Sequence, residues 1–133
     1  MALKLSLKPG EKFVVNGAVI VNGDRRSSLI IQNRVSILRE RDILLEADVN
    51  SPVKRVYFPI MMMHLDEEDR DDYYQEFVLR MTELFSVFTS PETVELCVKI
   101  SQNVMEQEYY KALMQARKLL KIEEAHLTPV AAE

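Results

Sequence analysis

The spacing of apolar residues changes period part way along this chain, and that change constrains the possible folds more than any other feature. Leu3, Leu5 and Leu7 alternate with Lys4, Ser6 and Lys8, the two-residue repeat of a half-buried strand. Later, Tyr74, Phe77, Val78, Met81, Leu84, Phe85 and Phe88 recur at three- and four-residue steps, which is the stripe of an amphipathic helix. Strands followed by helices, rather than strands alternating with them, imply an α+β fold. A small antiparallel sheet of about five short strands is expected first, then amphipathic helices.

Turn chemistry places the strands. Pro9 and Gly10 end the first, and Lys12 to Val15 and Ala18 to Asn22 flank Asn16-Gly17, the dipeptide that best tolerates the two positive φ angles of a type I′ hairpin. Gly23 and Asp24 turn the chain again, and further strands are expected at Ser28 to Gln32 and Arg34 to Leu38, before the charged segment Arg39 to Asp42. Val49 to Pro52 reads as a loop. Val53 to Phe58 reads as one more extended segment, stopped by Pro59.

The acidic run Asp66 to Asp72 precedes the first helical stripe and complements the positive end of a helix dipole. Ser90 and Pro91 then form a second start signal, an N-cap followed by proline at the first helical position. Val94, Cys97, Val98, Ser101, Val104, Met105, Tyr109, Ala112, Leu113, Ala116, Leu119 and Leu120 continue a stripe from there. Unbroken from Pro91 to Ile122, that helix would span roughly 48 Å. It must break, protrude or pair. Its weakest stretch by propensity is Ser101-Gln102-Asn103, and residues 127–133 read as a frayed terminus.

Charge divides along the same line. Residues 1–60 carry ten Lys and Arg against six Asp and Glu, a balance of +4, while residues 61–133 carry seven against fifteen, a balance of −8. A basic β-rich portion, 1–60, and an acidic helical portion, 61–133, are therefore expected within one integrated domain. A basic half points to a polyanionic partner, with nucleic acid first among them. Lys4, Lys8, Lys12, Arg25, Arg26, Arg34, Arg39 and Arg41 are the candidate contacts, because Lys and Arg neutralise phosphate and Arg grips it bidentately. Aromatic stacking platforms are scarce in that half, where Phe13 is the sole aromatic before Tyr57.

Other chemistries find little support. Cys97 stands alone, so no internal disulfide can form, and its place in a helical stripe suggests a core thiol in a reducing cytoplasm. The N-terminus lacks the apolar core of an export signal and no apolar run approaches eighteen residues, so a soluble cytoplasmic protein without membrane contact is expected. His64 and His126 lack metal-ligand spacing, and the acidic run lacks the Gly and Glu of an EF-hand loop. No metal, cofactor or catalytic residue is assigned. Met61, Met62 and Met63 read as soft core filler.

The opening LKLSLKPGEKFVVNGAVIVNGDRRSSLIIQNR, together with YFPIMMMHLDE at Tyr57 to Glu67, resembles the FlbT family of flagellum biosynthesis repressors over essentially the whole chain. That resemblance implies a post-transcriptional regulator that binds the 5′ untranslated region of flagellin messenger RNA and promotes its decay, in company with a second small regulator, FlaF. The stretch KLSLKPGEKFVVNG also resembles the start of the five-stranded carbon storage regulator (CsrA-like) RNA-binding family. Aligned on Gly10-Glu11, Lys8 takes the place of the second of that family's two arginines and Leu7 replaces the first. Two functions follow as expectations: a dimeric RNA-binding repressor, not an enzyme, or a protein-interaction adaptor in flagellar assembly that docks a partner on its helical stripe.

Overall fold

A computed structural model describes residues 3–132, with side chains as far as residue 125. The His126 side chain and those of the expected tail at 127–133 lie outside the described residues. The chain divides into two compact units, Met1–Ile43 and Leu44–Glu133.

The first unit holds five strands: β1 (Leu3–Leu7), β2 (Lys12–Val15), β3 (Ala18–Val21), β4 (Ser27–Ile31) and β5 (Ile37–Arg39). They form an α+β fold's antiparallel strand half as expected, but in two small sheets instead of one. β1 pairs with β4 from Leu3 opposite Ile31 to Leu7 opposite Ser27. The other sheet has the order β3-β2-β5. Asn16 and Gly17 take φ of 48° and 85°, which gives the β2–β3 hairpin the turn its sequence demands. The division into two sheets comes from the Pro9-Gly10 turn. Gly10 adopts φ of 71° and donates its N–H to the Gly23 carbonyl oxygen at 2.9 Å, so β1 leaves β2 at a turn instead of a flat hairpin. Among the described residues of this unit, Leu5, Leu7, Phe13, Val14 and Leu38 are the buried apolar ones.

Four helices make the second unit: α1 (Pro52–Leu65), α2 (Arg70–Val87), α3 (Pro91–Met105) and α4 (Tyr109–Ala132). The extended segment expected at Val53 to Phe58 is instead the first half of α1, and the loop before it ends in the helix cap. Ser51 accepts a hydrogen bond from the Lys54 N–H and Pro52 occupies the first turn, the same start signal as Ser90-Pro91. Val53, Val56, Tyr57, Ile60, Met61 and Met63 are buried, so tertiary burial of a helical face overrides the β preference of the valines. Pro59 sits inside the helix and does not stop it, at the loss of one backbone hydrogen bond.

The long stripe from Pro91 breaks, but not at Ser101-Gln102-Asn103. The break falls at Glu106–Glu108. Gln107 takes the left-handed φ of 61°, its N–H reaches the Val104 carbonyl at 3.0 Å, and the Glu108 N–H reaches that of Asn103 at 2.8 Å, a Schellman closure of α3. α4 can then fold back on α3, and it packs on α1 as well. A buried carboxylate joins the last of these pairs. Glu123 of α4 accepts from the Ser51 hydroxyl at 2.5 Å and the Val53 N–H at 3.1 Å, so a negative charge caps the positive end of α1.

Candidate nucleic-acid interface

All eight cationic residues singled out from sequence lie in the strand unit, where they are its complete set of Lys and Arg. Strand register sorts them. Asn22 is the organiser, because its side-chain amide donates to the carbonyl oxygens of both Lys8, at 2.8 Å, and Arg25, at 2.9 Å. One amide thus holds the turn after β1 against the turn before β4. Lys12 pairs with Val21 beside Asn22, and Phe13 pairs with Arg39, which brings the start of β2 and the end of β5 to the same place.

Lys8, Lys12, Arg25, Arg26 and Arg41 are therefore gathered at one end of the unit, and all five are exposed. Lys4 and Arg34 are exposed too but lie away from that end. Lys4 lies opposite Ile30, and Arg34 precedes Ser36, which bonds Asn16 at the far hairpin tip.

Arg39 stands apart from the five exposed cations, of which Arg41 lies 4.0 Å from the Asp42 carboxylate. It is half-buried, its Nε and Nη2 bind the Glu11 carboxylate at 3.1 and 2.9 Å, and Nη2 also donates to the Ser6 carbonyl at 2.6 Å. Its charge is thereby balanced within the fold, and its work is to tie β1, the Gly10 turn and β5 together. The Lys8 N–H donates to Glu11 as well, at 2.9 Å. That backbone bond and the Arg39 guanidinium hold the Glu11 carboxyl below its ordinary value. Glu40 contributes a second brace, accepting from the Lys12 N–H at 2.7 Å.

Among the described residues of the helical unit, two clefts stand out. One, of about 520 Å³, is bordered by Arg55, Phe58, Tyr73 and Arg80 together with the carboxylates Glu46, Asp72 and Glu76. Arg80 is held there by Glu76 at 2.7 Å and by Glu83 at 3.0 Å, which raises its pKa. The other cleft, of about 480 Å³, lies between α3 and α4 and is lined by Lys99, Gln102, Asn103, Tyr110, Lys111, Met114 and Gln115, with no carboxylate. Sequence reasoning missed this second group, because a charge count over an acidic half averages away a local basic face. The available signal was the lysines and amides of α3 and α4 taken together.

Cys97 is fully buried and burial pushes its thiol up, as fits a core residue. Met61 and Met63 are buried, and the Met61 sulfur accepts from the Leu44 N–H at 3.3 Å. The His64 ring packs on Tyr110 with centroids 5.6 Å apart. Among the described residues no His, Cys, Asp and Glu side chains group as a metal site, and no helix is long and apolar enough to cross a membrane.

Fold and surface together define a small α+β protein whose strand unit presents a clustered basic end. The chain belongs to the FlbT family, since the family model described as flagellar protein FlbT matches residues 3–127. It is 51% identical over 131 residues to the probable flagellum biosynthesis repressor protein FlbT of Caulobacter sp. (strain K31), covering 98% of this chain and 100% of the relative. The flagellum biosynthesis repressor protein FlbT of Caulobacter vibrioides is 51% identical, covering 98% and 93% respectively. A probable FlbT of Rhodopseudomonas palustris is 37% identical over 130 residues, covering 96% and 99%. No solved structure matches the chain.

Proposed function

We propose that the protein is a flagellum biosynthesis repressor that acts after transcription, its strand unit binding the 5′ untranslated region of flagellin messenger RNA so that cellular nucleases degrade the transcript. The observation that carries this is the gathering of five exposed cations at one end of the strand unit, in a family whose relatives are named repressors. Clustered cations release counterions from a polyanion, and this makes affinity fall steeply with salt. The test is a gel-shift titration of the intact protein against a flagellin leader RNA at several salt concentrations. Binding that weakens as salt rises supports the proposal; absence of binding at low salt overturns it.

A twofold homodimer is part of the same proposal. Val15 and Ala18 flank the two-residue turn, so the hairpin bonds engage Ala18 and Ile20 and turn the peptide groups of Val19 and Val21 to the outer edge of the sheet. All four residues of β3 are exposed and none is charged, an edge without the usual protection. A second copy of β3 in antiparallel pairing would cover it. Sedimentation at micromolar concentration should show a dimer, and Val19→Lys should shift it to monomer; a compact monomeric parent counts against pairing.

Exposed apolar residues of α2, Tyr74, Val78, Leu79 and Phe85, favour the adaptor as a second reading. A FlaF-type regulator is the partner to try there. Capture of it that is indifferent to salt, with no binding of leader RNA, would replace the RNA reading.

A further inference from the structure

The cleft between α3 and α4 has a composition unlike the rest of its unit. Residues 44–133 carry nine Lys and Arg against seventeen Asp and Glu, yet among the described residues Lys99 and Lys111 are the only charged ones that line this cleft. Glu95 lies 3.7 Å from the Lys99 ammonium, but both side chains are more than half exposed, so the pair is loose and readily exchanged for another anion. Asn103 and Gln115 are half-buried and border the cleft. A side-chain amide offers both a donor and an acceptor to a ligand in such a cleft. Tyr110 is 46% exposed, and its ring packs against that of His64.

We infer that this cleft is a subsite for one unpaired RNA base and its flanking phosphates: Tyr110 stacks on the base, Asn103 and Gln115 bond its edge, and Lys99 and Lys111 meet the phosphates. Bases in single-stranded RNA are bound in this way, by aromatic stacking, by hydrogen bonds to exposed edges and by cations along the backbone. About 480 Å³ falls within the roughly 300–1,000 Å³ usual for small-ligand sites. Phe13, the aromatic of the strand unit, is 1% exposed, so Tyr110 offers a stacking face of a kind that the strand unit does not. The inference rests on RNA as the ligand of the protein. Glu106 and Glu108 in the turn before α4 are outside the lining and favour phosphate placement on the lysine side.

The experiment uses intact protein and a fluorescein-labelled flagellin leader RNA, read by anisotropy across a salt series. Parent protein is compared with Tyr110→Phe, Tyr110→Leu, the pair Lys99→Ala and Lys111→Ala, and the pair Arg25→Ala and Arg26→Ala. Tyr110→Phe should bind as the parent does. Tyr110→Leu, which keeps an apolar contact for His64 but loses the stacking face, should weaken binding roughly 5- to 150-fold with the salt slope unchanged. The double lysine variant should lower the magnitude of the logarithmic salt slope by about 1.4, for two single-strand phosphate contacts. Thermal melts matching the parent exclude misfolding. If Tyr110→Leu and the lysine pair bind like the parent while the arginine pair is weakened, the cleft is not a subsite and the RNA proposal stands. Failure of the parent to bind leader RNA removes both. Loss of a captured protein partner in the cleft variants, with RNA binding unchanged, overturns the subsite in favour of a protein ligand.

Discussion

The strand unit and the helical unit solve the problem of burial differently. Among the described residues five apolar side chains are buried in the first and sixteen in the second, which is about twice as long. At 43 residues the strand unit is near the size below which a hydrophobic core no longer suffices alone. It compensates with long-range polar ties, Arg39 to Glu11 and Asn22 to two turns, and leaves charge and a bare strand edge outside. The helical unit relies on packing. The difference teaches that a unit too small to bury much apolar surface holds itself together with polar ties between residues distant in sequence.

The largest expected effect would break that contrast if it failed. Leu113→Ala, at a fully buried site in α4, should cost about 2–5 kcal/mol in chemical denaturation. Leu38→Ala in the thinner strand unit should fall at the low end of that range, because the surroundings collapse more readily around the missing atoms. A larger loss for Leu38 would show that the strand unit has the tighter core.

Next in size is Glu123→Ala, which strands the Ser51 hydroxyl and the Val53 N–H at the start of α1 and should cost about 1–3 kcal/mol by the same measurement. Unchanged stability would mean that α1 holds its cap without α4. Gln107→Gly should act in the opposite direction. Relieving a side chain from left-handed backbone should raise stability by about 1 kcal/mol and leave the α3–α4 closure intact.

A pH series probes the strand unit's polar ties. Glu11 sits below its ordinary value of 4.5 when folded, so the folded state binds fewer protons there than the unfolded state. Its stabilisation is therefore present above pH 4.5 and is lost as pH falls through the depressed folded value. Melting temperature should drop over that window in the parent, and less so in Glu11→Gln. Parallel curves would show that the Arg39 contact is dispensable. Smallest of all, Arg25→Ala with Arg26→Ala should alter stability within about 0.5 kcal/mol, while lowering the magnitude of the RNA salt slope by about one to two units. Changing Glu67 and Glu68 to Ala should leave RNA binding equal or slightly tighter.

Much of the fold was legible because short-range rules decide it. The Asn16-Gly17 hairpin, the alternation in β1 and the Ser90-Pro91 helix start all depend on residues within about four positions of one another. α1 was misread although Ser51-Pro52 repeats the Ser90-Pro91 signal, because Val53, Val56 and Pro59 each speak locally against helix. Buried packing outweighed them. The basic residues were legible as a set, but not which of them meet.

Local chemistry thus determined turn types, periods and caps. Only the tertiary structure decided that the strands split into two sheets, that α3 ends on Gln107 without a glycine, that Arg39 is neutralised by Glu11 while five other cations gather, and that an acidic half contains a basic cleft. Each depends on partners distant in sequence: Arg39 is 28 residues from Glu11, Asn22 is 14 from Lys8, and Glu123 is 72 from Ser51. Such pairs leave no periodic trace along a chain, because their energy arises only after loop closure has brought the partners together.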